Sequence, residues 1–178
     1  MSSVSLDIFS MPTETYNNEE FDCMLVCVDR LSGWIIAKPT TKLGLTAKKA
    51  ATLLLENGWD IFGIPTTITS DQGPQFVGQW FKTMCSRLGI RQAFSQAYHP
   101  RANGRAERAG QSLIELLKKL NTHQKINWVE ALPRVLYRYH DVINETGHSP
   151  YQILFGRPRL GLGIPHQEWD LPSFGPKT

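Results

Sequence analysis

The feature that most constrains this chain is a change of hydrophobic period near residue 46. Before it, Val4-Ser5-Leu6-Asp7-Ile8-Phe9 alternates and then turns apolar, and Phe21 to Val28 is apolar and β-branched. After the Asp29 to Gly33 turn, Trp34-Ile35-Ile36-Ala37 returns and is expected to end before Pro39. These three segments read as a β-meander. Beyond Thr46 the apolar residues Ala47, Ala50, Ala51, Leu54, Leu55 and Trp59 recur at helical spacing, so one helix is expected to about Phe62. Gly63-Ile64-Pro65 breaks it, and Thr66 to Ser70 is a β-branched strand. Gly73-Pro74 then leads into a helix over about Gln75 to Leu88, and Arg91 to Phe94 reads as a fifth strand. Gln96 to Asn103 reads as a polar loop, mobile by its composition. A long helix over about Gly104 to Leu120 follows, then one over about Trp128 to Tyr139. A last short helix starts with Ser149 as cap and Pro150 in the first turn, and runs to Phe155. This order gives an α/β fold with a central five-stranded mixed sheet flanked by helices.

Composition narrows the class. A chain of 178 residues, 41% hydrophobic and 20% charged, can bury a core and is not a disordered tail. Its longest apolar run, Cys23 to Val28, is far too short to span a bilayer, and its start has no signal-peptide pattern. Three cysteines make no disulfide framework and fit a reducing compartment. Cys23 and Cys27 share a strand face and read as core residues.

Charge is segregated. Residues 1–29 hold six acids and no base, whereas residues 82–125 hold nine bases against Glu107 and Glu115. The basic segment suits a phosphate backbone, and equally suits a solvated helix face.

Three acids stand out by position: Asp7 in the first strand, Asp71 at the end of the fourth, and Glu107 at the start of the long helix. Strand ends and helix starts can converge at the carboxyl edge of an α/β sheet, where ligands bind. Three carboxylates there would repel unless hard divalent cations, Mg²⁺ or Mn²⁺, bridged them. Such ions support in-line phosphoryl transfer. Against this, Asp71 also reads as a helix cap and Glu107 as a complement to its helix dipole.

The surrounding residues favour the first reading. Thr69-Ser70-Asp71-Gln72-Gly73-Pro74-Gln75-Phe76, followed by Tyr98-His99-Pro100 through Arg105-Ala106-Glu107-Arg108, resembles the catalytic core of retroviral and retrotransposon integrases. The spacing from Asp71 to Glu107 fits the D,D-35-E pattern of that family. Val28 to Trp34, Trp128 with Ala131-Leu132-Pro133, and Gly147 to Tyr151 through Phe155-Gly156 extend the resemblance, the last toward Gypsy-type elements. The resemblance implies a ribonuclease-H-like fold, with Asp7, Asp71 and Glu107 as a catalytic triad binding Mg²⁺ or Mn²⁺. It implies a polynucleotidyl transferase that processes the 3′ ends of a retroelement and joins them to target DNA. Tyr98, His99, Asn103, Arg105 and Gln111 are the expected DNA contacts. Residues 1–158 would form the core and residues 159–178 a Pro/Gly-rich linker or tail, so the chain reads as a core without its flanking domains. A nuclear site of action after cytoplasmic synthesis, a core homodimer and a higher oligomer of the full-length enzyme are further expectations.

Dimerisation is also expected from an apparent surplus of large apolar residues, Trp59, Trp80, Trp128, Leu132 and Tyr137, which single core-facing stripes would not bury. His123, His140 and His166 read as surface residues. Two other readings stay open. One is a host-adopted protein that keeps the fold for DNA binding or assembly without catalysis. The other is a ribonuclease H, with Glu56 of the first helix joining the site.

Overall fold

The computed structural model describes residues 1–94, 100–144 and 146–159, and among these the side chains of residues 100–107 and 109 are left undescribed. Strands β1 (Ser3–Tyr16) and β2 (Glu19–Asp29) form a long antiparallel hairpin. Its turn places Asn17 and Asn18 at φ 51° and 64°, the left-handed pair that matches strand twist in a two-residue hairpin loop. The turn to β3 (Ile35–Thr40) is fixed by Asp29, whose Oδ2 accepts from the Ser32 N–H at 2.9 Å and its hydroxyl at 2.6 Å. Two strands parallel to β1 follow, β4 (Thr67–Ser70) and β5 (Arg91–Phe94), giving the order β3-β2-β1-β4-β5. This is the expected five-stranded mixed sheet.

Two strand ends differ from expectation. β1 runs seven residues past Phe9 as a ribbon with β2, across a register shift between Ser10 and Glu14. Pro39 lies inside β3 rather than beyond it, paired with Met24. β3 is an edge strand, and proline is tolerated where no outer neighbour needs its missing N–H.

The first helix is not continuous. α1 (Ala47–Leu54), capped by Thr46, opens into a π-turn over Leu55–Trp59 before the short α2 (Asp60–Phe62). Asn57 and Gly58 leave helical geometry there, and Gly58 packs so closely on Ile36 that a Cβ would overlap that side chain. The second helix is also split, into α3 (Pro74–Val77) and α4 (Gln79–Arg87), because Gly78 is extended. The long helix α5 (Pro100–Gln124) begins four residues earlier than expected, so residues 100–103 are helix and not loop. Residues 96–99 of the expected loop lie outside the described residues. α6 (Trp128–Asp141) and α7 (Pro150–Phe155) complete the chain, α7 starting with a capping box between Ser149 and Gln152.

Strand alternation divides the core into two layers. Val4, Leu6, Leu25, Cys27, Ile36 and Ile68 face α1 and α4, while Met24, Val26, Val28 and Ala37 face α5 and α6. Trp128 is fully buried in the second layer and donates from its indole to Pro12 O at 2.8 Å. Among the described residues no helix is long and apolar enough to cross a membrane.

The expected aromatic surplus is absent. Trp59, Trp128 and Leu132 are buried and Tyr137 is half-buried beneath Arg159, so of the five only Trp80 is exposed, at 46%. The two layers and α7 give the helices more than one apolar contact face. His140 is likewise not a surface residue. It is buried, stacks on Trp34 with centroids 3.6 Å apart, and its Nε2 lies 3.2 Å from Ile35 N and 3.0 Å from Ile35 O. His123 is exposed as expected, and His166 lies outside the described residues.

Candidate active site

The parallel pairing of β1 and β4 brings two of the three acids side by side. The register runs Ser3 to Thr67, Val4 to Ile68, Ser5 to Thr69 and Leu6 to Ser70. The residue after each member of the last pair is an aspartate, Asp7 within β1 and Asp71 just beyond β4. Neighbouring strands lie about 4.8 Å apart, so the two aspartates leave the end of the β1/β4 ladder from neighbouring backbone positions.

Alternation also fixes the face. Leu6 points into the α1/α4 layer, which turns Asp7 toward the layer of α5. Val26, the partner of Asp7 across β2, and Phe9 both pack in that layer.

Helix α5 crosses the same face. Gly110 stands over Phe9 and Val26, and farther along Asn121 donates a hydrogen bond to the Glu14 carboxylate, so the helix runs in the direction of β1. Position 107 is one turn before Gly110, on the same face, about 4.5 Å back along the axis. One to two strand residues, each about 3.3 Å, cover that distance, which sets position 107 at the level of Asp7 and Ile8. Glu107 is therefore two turns into α5, not in its first turn, since the helix starts at Pro100. Its side chain is among those left undescribed, as are those of Asn103 and Arg105, which lie earlier on the same helix. Gln111 is exposed on α5. Tyr98 and His99 lie outside the described residues.

Asp71 is not a helix cap. The residue before α3 is Gly73, and that helix has no side-chain cap. Asp71 is exposed, and its Oδ1 accepts from the Gly73 N–H at 3.0 Å, which orients the carboxylate and leaves Oδ2 to a ligand. Asp7 is half-buried. Two aspartates at neighbouring backbone positions have the oxygen chemistry that a hard divalent cation of the Mg²⁺ or Mn²⁺ type takes. Among the described side chains no group of three or more acids, histidines or cysteines is assembled.

Other candidates stand apart. Glu56 is exposed on the π-turn, which packs against Ile36 in the opposite layer from Asp7, so the site does not gain the fourth acid of the ribonuclease reading. All three cysteines are buried free thiols. Burial pushes Cys23 and Cys27 up to about 12 and Cys85 to about 11, so none offers a thiolate near neutral pH. Register was the signal missing from the sequence: Asp7 and Asp71 are adjacent only because β1 and β4 pair across more than sixty intervening residues.

Comparison with known proteins bears on the family and the fold. The family described as integrase core domain matches residues 2–100, a span that includes Asp7 and Asp71 and ends before Glu107. The Gag-Pol polyprotein of feline leukemia virus is 39% identical over 137 residues, covering 76% of this chain and 8% of the polyprotein. The Pol polyprotein of radiation murine leukemia virus (strain Kaplan) is 38% identical over 136 residues, covering 76% of this chain and 23% of that protein. The chain thus spans a small part of these relatives. Among solved structures, the HTLV-2 integrase catalytic core domain in complex with magnesium, in its trimeric form, superposes with a TM-score of 0.64 at 23% identity, covering 86% of this chain and 95% of that one. The simian T-cell lymphotropic virus intasome in complex with the PP2A regulatory subunit B56 gamma gives a TM-score of 0.68 at 26% identity, covering 99% of this chain and 59% of that one. The five-stranded mixed sheet flanked by helices is that of integrase catalytic cores, the ribonuclease-H-like fold.

Proposed function

The chain belongs to the integrase core domain family, and on that premise we propose that it is the catalytic core of a polynucleotidyl transferase acting on retroelement DNA. The observation that carries this reading is the Leu6–Ser70 pairing that ends the β1/β4 ladder, which leaves Asp7 and Asp71 as the next residue on each side.

In this reading Asp7, Asp71 and Glu107 hold divalent magnesium or manganese. When bound, such ions activate the attacking oxygen and stabilise the leaving oxygen of an in-line displacement at phosphorus. The protein's part is to keep the carboxylates fixed. The β1/β4 ladder ends one residue before both aspartates, and the Gly73 N–H holds one oxygen of Asp71. In the first reaction water attacks a phosphodiester near the 3′ end, the P–O3′ bond breaks, the water oxygen stays on phosphorus, and a proton from the water passes to the released 3′ oxygen. In the second, that 3′-OH attacks a phosphodiester of target DNA and displaces its 3′ oxygen, which takes up the proton. Each step exchanges one P–O bond for another, so no nucleotide cofactor is consumed, and no side chain is a covalent nucleophile.

We assign DNA contacts to Tyr98, His99, Asn103, Arg105 and Gln111, take residues 1–158 as the catalytic unit and residues 159–178 as its linker, and place the reaction in the nucleus. A homodimer of the core, and a larger assembly on retroelement ends and target DNA, are supported by analogy with the dimeric HTLV-2 core and the simian intasome.

A disintegration assay tests the reading. The chain is incubated with Mn²⁺ and a branched duplex that mimics the strand-transfer product. Resolution of the branch by wild type and its loss in Asp71→Asn are expected. A wild-type chain that binds the duplex and never resolves it would favour the host-adopted, non-catalytic alternative.

A further inference from the structure

The turn after β4 carries a polar group that the reaction above leaves unused. Gly73 separates Asp71 from Gln75, and a Cβ on Gly73 would collide with the Gln75 carboxamide nitrogen and stand 3.0 Å from Asp71 Oδ1. The two side chains therefore approach the same glycine from either side. Gln75 itself is half-buried.

Its neighbours hold it in place. Phe76, the next residue, is fully buried in the α1/α4 layer, packed edge-on against Phe81, and its carbonyl accepts from the Gln92 carboxamide at 2.6 Å. The turn is thus pinned at one end by β4 and at the other by the core. Among the described residues nothing accepts a hydrogen bond from the Gln75 nitrogen.

An amide has the right chemistry for this position. It carries two donors and no charge, so it does not compete with a cation for Asp71 as a lysine would. A strand engaged at Asp71 brings non-bridging phosphate oxygens to the same end of β4, and those oxygens accept from neutral donors. We propose that Gln75 is a substrate-binding residue, donating from its carboxamide to a non-bridging oxygen of the DNA phosphate at or next to the one held beside Asp71. This rests on the transferase reading and adds to it a named contact on the Asp71 side of the site.

The test uses the full 178-residue chain and a branched oligonucleotide duplex, with Mn²⁺ for turnover and Ca²⁺ for binding followed by fluorescence anisotropy. Unfolding midpoints confirm that the variants fold. Gln75→Ala is expected to raise the DNA Kd and KM about tenfold, the loss of one hydrogen bond to a charged oxygen, with kcat and the Mn²⁺ half-saturation unchanged. Gln75→Glu, which sets a negative charge against the phosphate, should bind more weakly still. A methylphosphonate at the contacted phosphate should weaken wild type but weaken Gln75→Ala no further. Equal Kd values for wild type and Gln75→Ala, or equal methylphosphonate penalties in both at every phosphate tried, would overturn the contact. A shifted Mn²⁺ half-saturation with an unchanged DNA Kd would also overturn it, by assigning Gln75 to the support of Asp71. A wild-type chain with neither turnover nor DNA binding would instead remove the transferase reading beneath it, and is distinguishable because the variants are then not needed.

Discussion

Lowering the pH from about 7.5 to about 5 should destabilise this chain through one buried imidazole. Burial, opposed by the Ile35 backbone hydrogen bond and reinforced by the nearby Arg159 charge, pushes His140 down from its usual 6.5 to about 3. Above pH 6.5 the ring is neutral in both the folded and unfolded chain and contributes no pH dependence. Below it, the unfolded chain binds a proton that the folded chain refuses, so stability is lost as pH falls from 6.5 toward 3. At pH 5 the difference amounts to about 2 kcal/mol. Carboxylates also respond to acid, so the readout is a comparison. His140→Gln keeps an uncharged polar group beside Ile35 and cannot titrate, although it loses the stack on Trp34. Urea unfolding of both proteins at the two pH values should show wild type losing about 2 kcal/mol more than the variant. Equal losses would refute the account, because they would mean that His140 is reached by protons in the folded state.

Three further outcomes follow from local geometry. Gly58→Ala should cost about 1–3 kcal/mol in urea unfolding, because its methyl group overlaps Ile36, and Ile36→Val in the same chain should recover part of the loss. Ser149→Ala should cost about 1 kcal/mol by opening the capping box, in which Ser149 Oγ accepts from Gln152 N at 3.2 Å and Gln152 Oε1 from Ser149 N at 2.8 Å. Asp71→Asn should abolish turnover yet change stability by less than about 0.5 kcal/mol, since Asp71 is exposed, caps no helix, and asparagine keeps the acceptor for Gly73 N.

The sequence was most legible where one local rule decides the outcome. β5 falls on Arg91–Phe94 as read, and α7 starts at the Ser149-Pro150 pair, because alternation and capping act over a few residues. Helix continuity was less legible. The spacing of Leu54, Leu55 and Trp59 is helical throughout, and the break at Asn57-Gly58 is set by the approach to Ile36 on another strand. Pro39 misled for a similar reason, since its tolerance depends on β3 being an edge, which is a property of the sheet. His140 was misplaced because its partner Trp34 is more than a hundred residues away. At the site, the acids were recognisable from their motifs, but their adjacency follows from the β1/β4 register and the course of α5.

The central claim is that Asp7 and Asp71 hold a divalent ion with the help of Glu107. Anomalous diffraction from crystals soaked in Mn²⁺ tests it most directly. A peak is predicted between the two aspartates, with one carboxylate oxygen of each at about 2.1–2.2 Å. It should vanish in Asp71→Asn crystals soaked in the same way. A peak remote from both carboxylates, or one that persists unchanged in Asp71→Asn, would contradict the claim.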